Sequence, residues 1–415
     1  MPSGWRERPL GSFTKRVKEI NLDGRELEPL SVTKGQGVVL QSSRFKKRVA
    51  TDLRKYQIAR RGDFIYDPMS LYYGSVGRLD VIAEGVTSPD YVVFQPDGSV
   101  DSDFLLHLLR WPRSIAVFEA HSERGNRAGK RRRLYWSGFK DIAVHLPPLS
   151  EQQKIAAILS SVDEAIEATQ AVIDRVQVVK KGLMQELLTK GLPGRHKKFK
   201  QTELGQVPEE WEVVELGSRA EFQAGYAFKS KEFSASGDRL LRGSNVGVER
   251  LDWSEGSTRY FPSERRDEFS DYILDAGDIV VAMDRPFISS GFKAARIGPE
   301  DLPALLLQRV GRFRRLRGLD ADYLWVLVRS RFVGEHLLVQ QKGTDLPHIS
   351  RAEIEASLVP IPGIGEQQEI AAVVSSVEDY ARELNREMMG FRDLKSGLMS
   401  VLLTGELRVP PEAAG

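Results

Sequence analysis

The 415-residue sequence contains no cysteine. That single absence removes disulfide frameworks, thiolate metal sites, iron–sulfur clusters and every cysteine nucleophile, and it fits a reducing compartment. Long apolar runs are missing as well: nothing approaches the roughly 18 residues that a spanning helix needs. The opening stretch places Arg6, Glu7 and Arg8 where a secretion signal would be apolar. The expectation is a cytoplasmic protein with no membrane partner. Histidine is scarce, with six residues at 107, 121, 145, 196, 336 and 348, and no pair stands at helical ligand spacing. No HxxxH-type metal site is therefore written in the chain.

Catalytic signatures are similarly thin. Gly125-Asn126-Arg127-Ala128-Gly129-Lys130 is one residue short of a phosphate loop, and Arg131 stands where Ser or Thr would ligate magnesium. Asp393-Leu394-Lys395 resembles the tail of a metal-nuclease motif, but it has no upstream acidic partner and reads as a solvated helix face. Neither Pro147-Pro148, preceded by Leu146, nor Asp67-Pro68-Met69 makes the acidic-or-amide, Pro-Pro, aromatic loop of a base-directed methyltransferase. Together these gaps favour a chain without catalytic residues and without a metal of its own.

What is present is a folded composition, 41% hydrophobic and 28% charged, on a length that suits two to four compact units. The net charge of +2 is uneven: residues 1–149 carry 25 Lys and Arg against 17 Asp and Glu, whereas residues 363–415 carry 5 against 9. Two basic clusters stand out, Arg124, Arg127 and Lys130 to Arg133, and Arg309, Arg312, Arg314, Arg315 and Arg317. Either serves equally well as a solvated face or as a phosphate-binding patch.

The strongest signal is a repeat at an offset of 215. Glu151 to Asp163 matches Glu366 to Glu378 at nine of thirteen positions, and the same register aligns Gly182-Leu183-Met184 with Gly397-Leu398-Met399 and Gly62-Asp63 with Gly277-Asp278. Trp5 to Gly11 echoes Trp211 to Gly217 at an offset of 206. Apolar residues recur at heptad spacing from Ile155 through Val162, Ile173, Val176, Val179 and Leu183 to Leu187, and again from Ile370 through Val377, Leu384, Phe391, Leu394 and Leu398 to Leu402. Each segment predicts an amphipathic helix about 60 Å long at about 1.5 Å per residue. Pro147-Pro148 precedes the first, Ser150 is its candidate cap, and Gly191 and Gly405 follow the two ends. One copy packed against the other buries both stripes; the competing arrangement folds each helix onto its own globular unit. Gly182 and Gly397, inside the stripes, suggest a close crossing or a bend.

The expected fold class is α+β: two mixed α/β recognition domains separated by two long helices packed as an antiparallel coiled coil, an internal pseudo-twofold repeat. The boundaries are a first globular domain at 1–149, a helical spacer at 150–191, a linker at 192–217, a second globular domain at 218–362, a second spacer at 363–405 and a tail at 406–415. Short β-rich runs at 64–66, 91–94, 279–281 and 304–307, and helix-like patterns at 103–109 and 322–328, furnish the globular parts.

Leu146-Pro147-Pro148-Leu149-Ser150-Glu151-Gln152-Gln153 opening a long helix, the near-copy from Pro362 to Leu403, and Leu204 through Pro208 to Trp211 opening a second globular unit make the chain resemble the specificity subunits of type I restriction-modification enzymes. Pro362-Gly363-Ile364-Gly365 departs from the Pro-Pro-Leu pattern of the first copy. The resemblance implies two target-recognition domains on a helical ruler, each reading one half of an asymmetric bipartite site in double-stranded DNA. Partners would be two methyltransferase subunits and restriction endonuclease/translocase subunits. S-adenosylmethionine, ATP and magnesium would belong to those partners, none to this chain. Two other classes stay in view: a protein-interaction adaptor, and a self-contained DNA-modifying enzyme whose site is assembled from distant residues.

The offset aligns Arg127-Ala128-Gly129 with Lys342-Gly343-Thr344 as loops. Arg127 and Lys130, Arg131, Arg132 and Arg133 suit phosphates or a guanine edge, and Gln340, Gln341, Lys342 and Thr344 add amides suited to adenine. A second pair of loops follows the Gly-Asp turns, with Tyr72, Tyr73, Ser75 and Arg78 in one half and Arg285, Ser289 and Lys293 in the other. Arg242 and Asn245 form either a turn or a groove contact. The tyrosines fit a core as well as they fit a groove.

Overall fold

The computed structural model describes residues 2–45, 50, 52–124, 132–340 and 347–409. The chain divides into two compact units, Met1–Ala171 with Arg386–Gly415, and Val172–Asn385. Two long helices, Leu149–Lys190 and Ile364–Leu402, both cross that division. Each unit therefore holds the start of one long helix and the end of the other.

In the first unit, strand Arg6–Pro9 pairs antiparallel with Ala143–Leu146, the strand that feeds the first long helix. A four-stranded antiparallel sheet follows, ordered Thr14–Val17, Val92–Pro96, Phe64–Tyr66, Val76–Arg78. Strand alternation sends Phe64, Tyr66 and Phe94 to one face and Ile65 and Val93 to the other, and both faces are buried. On the first face the aromatic rings meet Phe139, Tyr66 at 4.8 Å and Phe94 at 5.4 Å between centroids. Helix Ser102–Arg110 is capped by Asp101, whose carboxylate accepts from the Phe104 amide, and Pro112 starts helix Pro112–Ala120 at the position proline tolerates.

The second unit repeats this plan. Glu212–Glu215 pairs with Leu358–Ile361, and a sheet of the same order runs Glu221–Ala224, Val310–Arg314, Ile279–Ala282, Ala294–Arg296. Asp320 caps helix Ala321–Val328 as Asp101 caps its counterpart. The periphery differs: a three-stranded sheet of Tyr260–Phe261, Asp238–Leu241 and Ala304–Leu306 contains a parallel pair, where the first unit has two separate antiparallel pairs. Residues 192–217, expected as a linker, are folded. Phe199–Thr202 and Gly205–Pro208 form a hairpin, and Val207 and Trp211 are buried in the unit's core.

The helix starts are held by one device used twice. Gln152 Oε1 accepts from the Asp101 amide while its Nε2 donates to the Pro147 carbonyl. Gln367, at the same place in the repeat, accepts from the Asp320 amide and donates to the carbonyls of Gly318 and Pro362. The glutamates beside them bind whatever follows the other helix's end. Glu151 accepts from Arg408 at 2.8 and 2.9 Å, and Glu366 accepts from Trp211 Nε1 at 3.1 Å with His196 Nε2 at 2.8 Å. Burial pushes the Glu151 carboxyl up, but Arg408 and the Val409 amide outweigh it and hold it below its ordinary value. Ser150 is not the cap: the helix begins at Leu149, and the Pro148 carbonyl already accepts from the amides of Glu151 and Gln152.

Within each unit the two helix segments pack antiparallel. Ile155, Ala156 and Leu159 share a core with Met399, Leu402 and Leu403 in the first unit, and Ile370, Ala371 and Val374 share one with Met184, Leu187 and Leu188 in the second. The apolar seam departs from the heptad reading at one point in each copy. Val179 and Leu394 face outward, 60% and 50% exposed, and the following lysines turn inward instead. Lys395 pairs with Asp163 at 2.5 Å, and Lys180 with Glu378 at 2.9 Å. Both carboxylates and both lysines are related by the 215 offset, so the same pair is made twice with the helices exchanging roles. Lys395, read from sequence as part of a solvated face, is thus tied into the helix pair. Gly182 and Gly397 mark no close crossing, since an added Cβ would meet nothing within 4 Å at either.

His107 faces this junction in the first unit, with Nε2 3.1 Å from Ser160 Oγ and Nδ1 3.8 Å from Asp163. Burial, helped by Lys395, lowers it from 6.5 to about 4 against the pull of Asp163. Two outcomes are expected. Gln152→Ala and Gln367→Ala each strand a buried amide and carbonyl and should cost about 1–3 kcal/mol by denaturant titration. Because the folded histidine binds its proton less readily than the unfolded one, its stabilising contribution is complete above pH 6.5 and is lost as pH falls toward 4. The melting temperature should fall across that window, and less steeply in His107→Gln; an equal slope in the variant would rule the histidine out.

Candidate nucleic-acid interface

On the first unit, Leu71–Tyr73 forms a short 3-10 turn closed by Gly74 at φ +90, where a side chain would also strike Ile115. The turn lifts the tyrosines outward: their rings lie 4.2 Å apart and Tyr73 is 54% exposed. Its hydroxyl beside Tyr72 raises that phenol above its ordinary value, and Arg132 pulls the other way. Strand Arg132–Arg133 pairs with Glu123–Arg124, and the Leu134 amide donates to the Pro68 carbonyl, which ties this ribbon to the tyrosine loop. Arg132 binds Glu119 at 2.8 Å and Arg133 donates to the Tyr135 hydroxyl at 2.9 Å. Arg127, Lys130 and Arg131 lie outside the described residues.

Two expected contacts in this loop are placed elsewhere. Ser75 is buried. Arg78 binds Asp80 at 2.9 Å and Asp103 at 2.8 Å; burial opposes its charge, but the two carboxylates outweigh it and keep its pKa above the usual arginine value. Both residues serve the fold.

On the second unit the loops at 242–245, 283–293 and 307–309 meet. The Lys293 ammonium donates to the Gly243 carbonyl, the Met283 amide to the Arg309 carbonyl, and the Arg285 amide to the Pro347 carbonyl. Phe287–Ile288 and Gly291–Phe292 form a hairpin whose turn exposes Ser289, with Ile288 47% exposed beside it. Arg285 is exposed at φ 44. Asn245 is fully buried: its Oδ1 accepts from the Arg242 amide, and its Nδ2 donates to the Asp252 carbonyl and Ser257 Oγ. Arg242 donates to the Ser257 carbonyl at 3.4 Å, and Lys293 is nearly buried, its charged form disfavoured by burial despite Asp284. These three hold the loop in shape, the turn reading of Arg242 and Asn245. Gln340 ends helix Arg331–Gln340, and Gln341, Lys342 and Thr344 lie outside the described residues.

The arginine cluster at 309–317 splits on inspection. Arg312 is buried and bound to Asp278 at 2.6 Å and to the carbonyls of Ile273 and Asp271, whereas Arg309 is exposed beside Asp284 and His348. Strand alternation puts Arg312 and Arg314 on one face of Val310–Arg314, so it does not tell the buried arginine from the exposed one. Nothing local marked Asp284 and His348 as neighbours. Among the described residues no group of three or more His, Asp or Glu is placed to hold a metal ion, and no helix is long and apolar enough to cross a membrane.

The two loop faces sit on repeated scaffolds, and the family model for the type I restriction modification DNA specificity domain matches the chain twice, at residues 43–178 and 208–388. The chain belongs to that family. Among curated relatives, the type I restriction enzyme MjaVIII specificity subunit of Methanocaldococcus jannaschii is 35% identical over 272 residues, 65% of this chain and 63% of the relative. The EcoAI specificity subunit of Escherichia coli is 34% identical over 51% of this chain and 34% of its own length. The chain thus spans less than two thirds of these two relatives. The crystal structure of a type I restriction-modification system S subunit from M. genitalium, 14% identical, shares the fold with a TM-score of 0.55 over 99% of this chain and 97% of that one. Of the residues expected from sequence, Tyr73, Arg133, Arg285 and Ser289 are exposed. Replacing Arg132 and Arg133 together with Ala should weaken binding to every duplex alike and reduce the log–log salt slope by about one to two. An unchanged slope in a filter-binding titration would remove the ribbon from the interface.

Proposed function

We propose that the chain is the DNA-specificity subunit of a type I restriction-modification complex, reading an asymmetric bipartite site with one half-site per unit. The observation that carries this reading is the family match falling once in each half, on two scaffolds alike in sheet order and helix clamps but unlike in their outer loops. Identical readers would call for a palindrome; two unlike readers call for two different half-sites.

The chain's part is recognition and positioning, and the chemistry belongs to partners. Methyltransferase and endonuclease/translocase subunits would bring S-adenosylmethionine, ATP and magnesium. The helices favour two equivalent docking places for one kind of partner: Val179 with Gly182 and Leu394 with Gly397 expose the same apolar and open positions at the 215 offset. That repetition supports two methyltransferase subunits per chain. An adaptor without a DNA role would leave the basic, tyrosine-bearing loops unexplained, and a self-contained enzyme would need a cluster of acids or histidines of its own.

The test is a domain exchange. Residues 1–149 are replaced by the corresponding segment of another family member, and modified adenines are mapped in cells that also express the methyltransferase subunit. One half-site should change while the other and the spacing persist. A change in both halves, or in neither, would overturn the modular reading.

A further inference from the structure

Resting on that reading, one residue of the second unit stands apart from the other surface cations. We propose that Arg309 reads a base pair, presenting its guanidinium to the major-groove edge of a guanine. Arg309 lies between strands Ala304–Leu306 and Val310–Arg314 at φ 72, a left-handed conformation that a β-carbon makes costly. Its carbonyl accepts from the Met283 amide, so the turn is fixed from the neighbouring loop. Such strain at an exposed arginine persists only where the surrounding structure enforces it.

The side chain is aimed as well as exposed. One nitrogen, NH1, lies 3.2 Å from Asp284 Oδ1, and that same oxygen is 2.6 Å from His348 Nδ1. Asp284 and His348 are also joined by a backbone bridge, so the carboxylate that steers the arginine is itself steered. Arg309 remains 57% exposed at its side chain, and its Nε and NH2 make no hydrogen bond among the described residues. A guanidinium held at one corner and open along the other edge offers the two parallel donors that O6 and N7 of guanine accept. Anchoring also removes rotamer freedom before DNA arrives, which is where a long side chain otherwise loses affinity.

The contrast with its neighbours is what singles it out. Arg312 is spent inside the fold, Arg314 donates to Gln223, and Arg315 binds Glu221 at the far end of the strand. Arg285 is exposed without a steering carboxylate among the described residues, which suits a phosphate, a contact that carries no sequence information.

A randomised duplex pool is selected on the full chain, purified with any subunits that co-assemble, and then on Arg309→Ala, Arg309→Lys, Asp284→Asn and Arg285→Ala. The wild type should enrich a site with a guanine in one half. Arg309→Ala and Arg309→Lys should each lose about 10- to 100-fold of the preference at that one base pair, and Asp284→Asn part of it. Other positions should be kept. Arg285→Ala should weaken all sequences alike, and 7-deazaguanine at the affected position should reproduce the Arg309→Ala loss on wild-type protein. Enrichment of the same site with undiminished preference by Arg309→Ala, or a uniform loss like that of Arg285→Ala, overturns the proposal and leaves the specificity reading standing. If the wild type enriches no sequence, both fall.

Discussion

Lys180 and Lys395 occupy positions where the heptad pattern would put an apolar residue, and the helix pair is organised around that exception. An ammonium turned into the seam, buried at Lys180 and half-buried at Lys395, needs a partner, and each has one on the other long helix: Glu378 in the second unit, Asp163 in the first. Apolar seams tolerate sliding, because one aliphatic contact substitutes for another. A lysine that must find its carboxylate does not. The reciprocal pair therefore fixes register in both units, and the glutamine clamps at Gln152 and Gln367 fix where each helix starts. With start and register both set, the loops carried by each unit's sheet are placed relative to the helix segments of that unit.

The surfaces above that frame are free to differ. The central sheet repeats in order and pairing, while the elements at its edge change from antiparallel pairs to a sheet with a parallel pair. The tyrosine turn of one unit and the Ile288 hairpin of the other follow equivalent Gly-Asp turns, with Gly62 and Gly277 both at φ +93. The scaffold thus delivers a loop to the same place and leaves its chemistry open.

Much of this was legible in the chain. The 215 offset, the two long helices and the α+β texture follow from periodicity and repetition, which are local signals. The lysine exception was not, because Val179 and Leu394 offer an apolar residue one position earlier and only the distant acids reveal which neighbour turns inward. The same limit applies to the site. Tyr73, Arg133 and Arg285 stand exposed where loop position suggested, but Asn245, Ser75, Arg78 and Lys293 are polar residues absorbed by the fold: Lys293 reaches Gly243 and Arg78 reaches Asp103, far along the chain, while Asn245 closes its own loop through Asp252 and Ser257. Arg309 looked like one member of a basic run. Its environment comes from Asp284 and His348, 25 and 39 residues away, and no spacing rule joins them.

Glu249 carries a consequence for how such proteins diversify. It belongs to the outer part of the second unit, at φ 58, yet it reaches Lys180 at 3.1 Å and Arg329 at 3.3 Å, beside the Trp325 ring that Arg329 covers. Two nearly enclosed cations thus share two acids, with Lys180 and Glu378 on the long helices and Arg329 and Glu249 on the globular part. Loss of Glu249 alone would leave Glu378 to neutralise both. A globular part exchanged with a relative's would have to bring its own balanced pair at 249 and 329, a compatibility rule set by the helices alone.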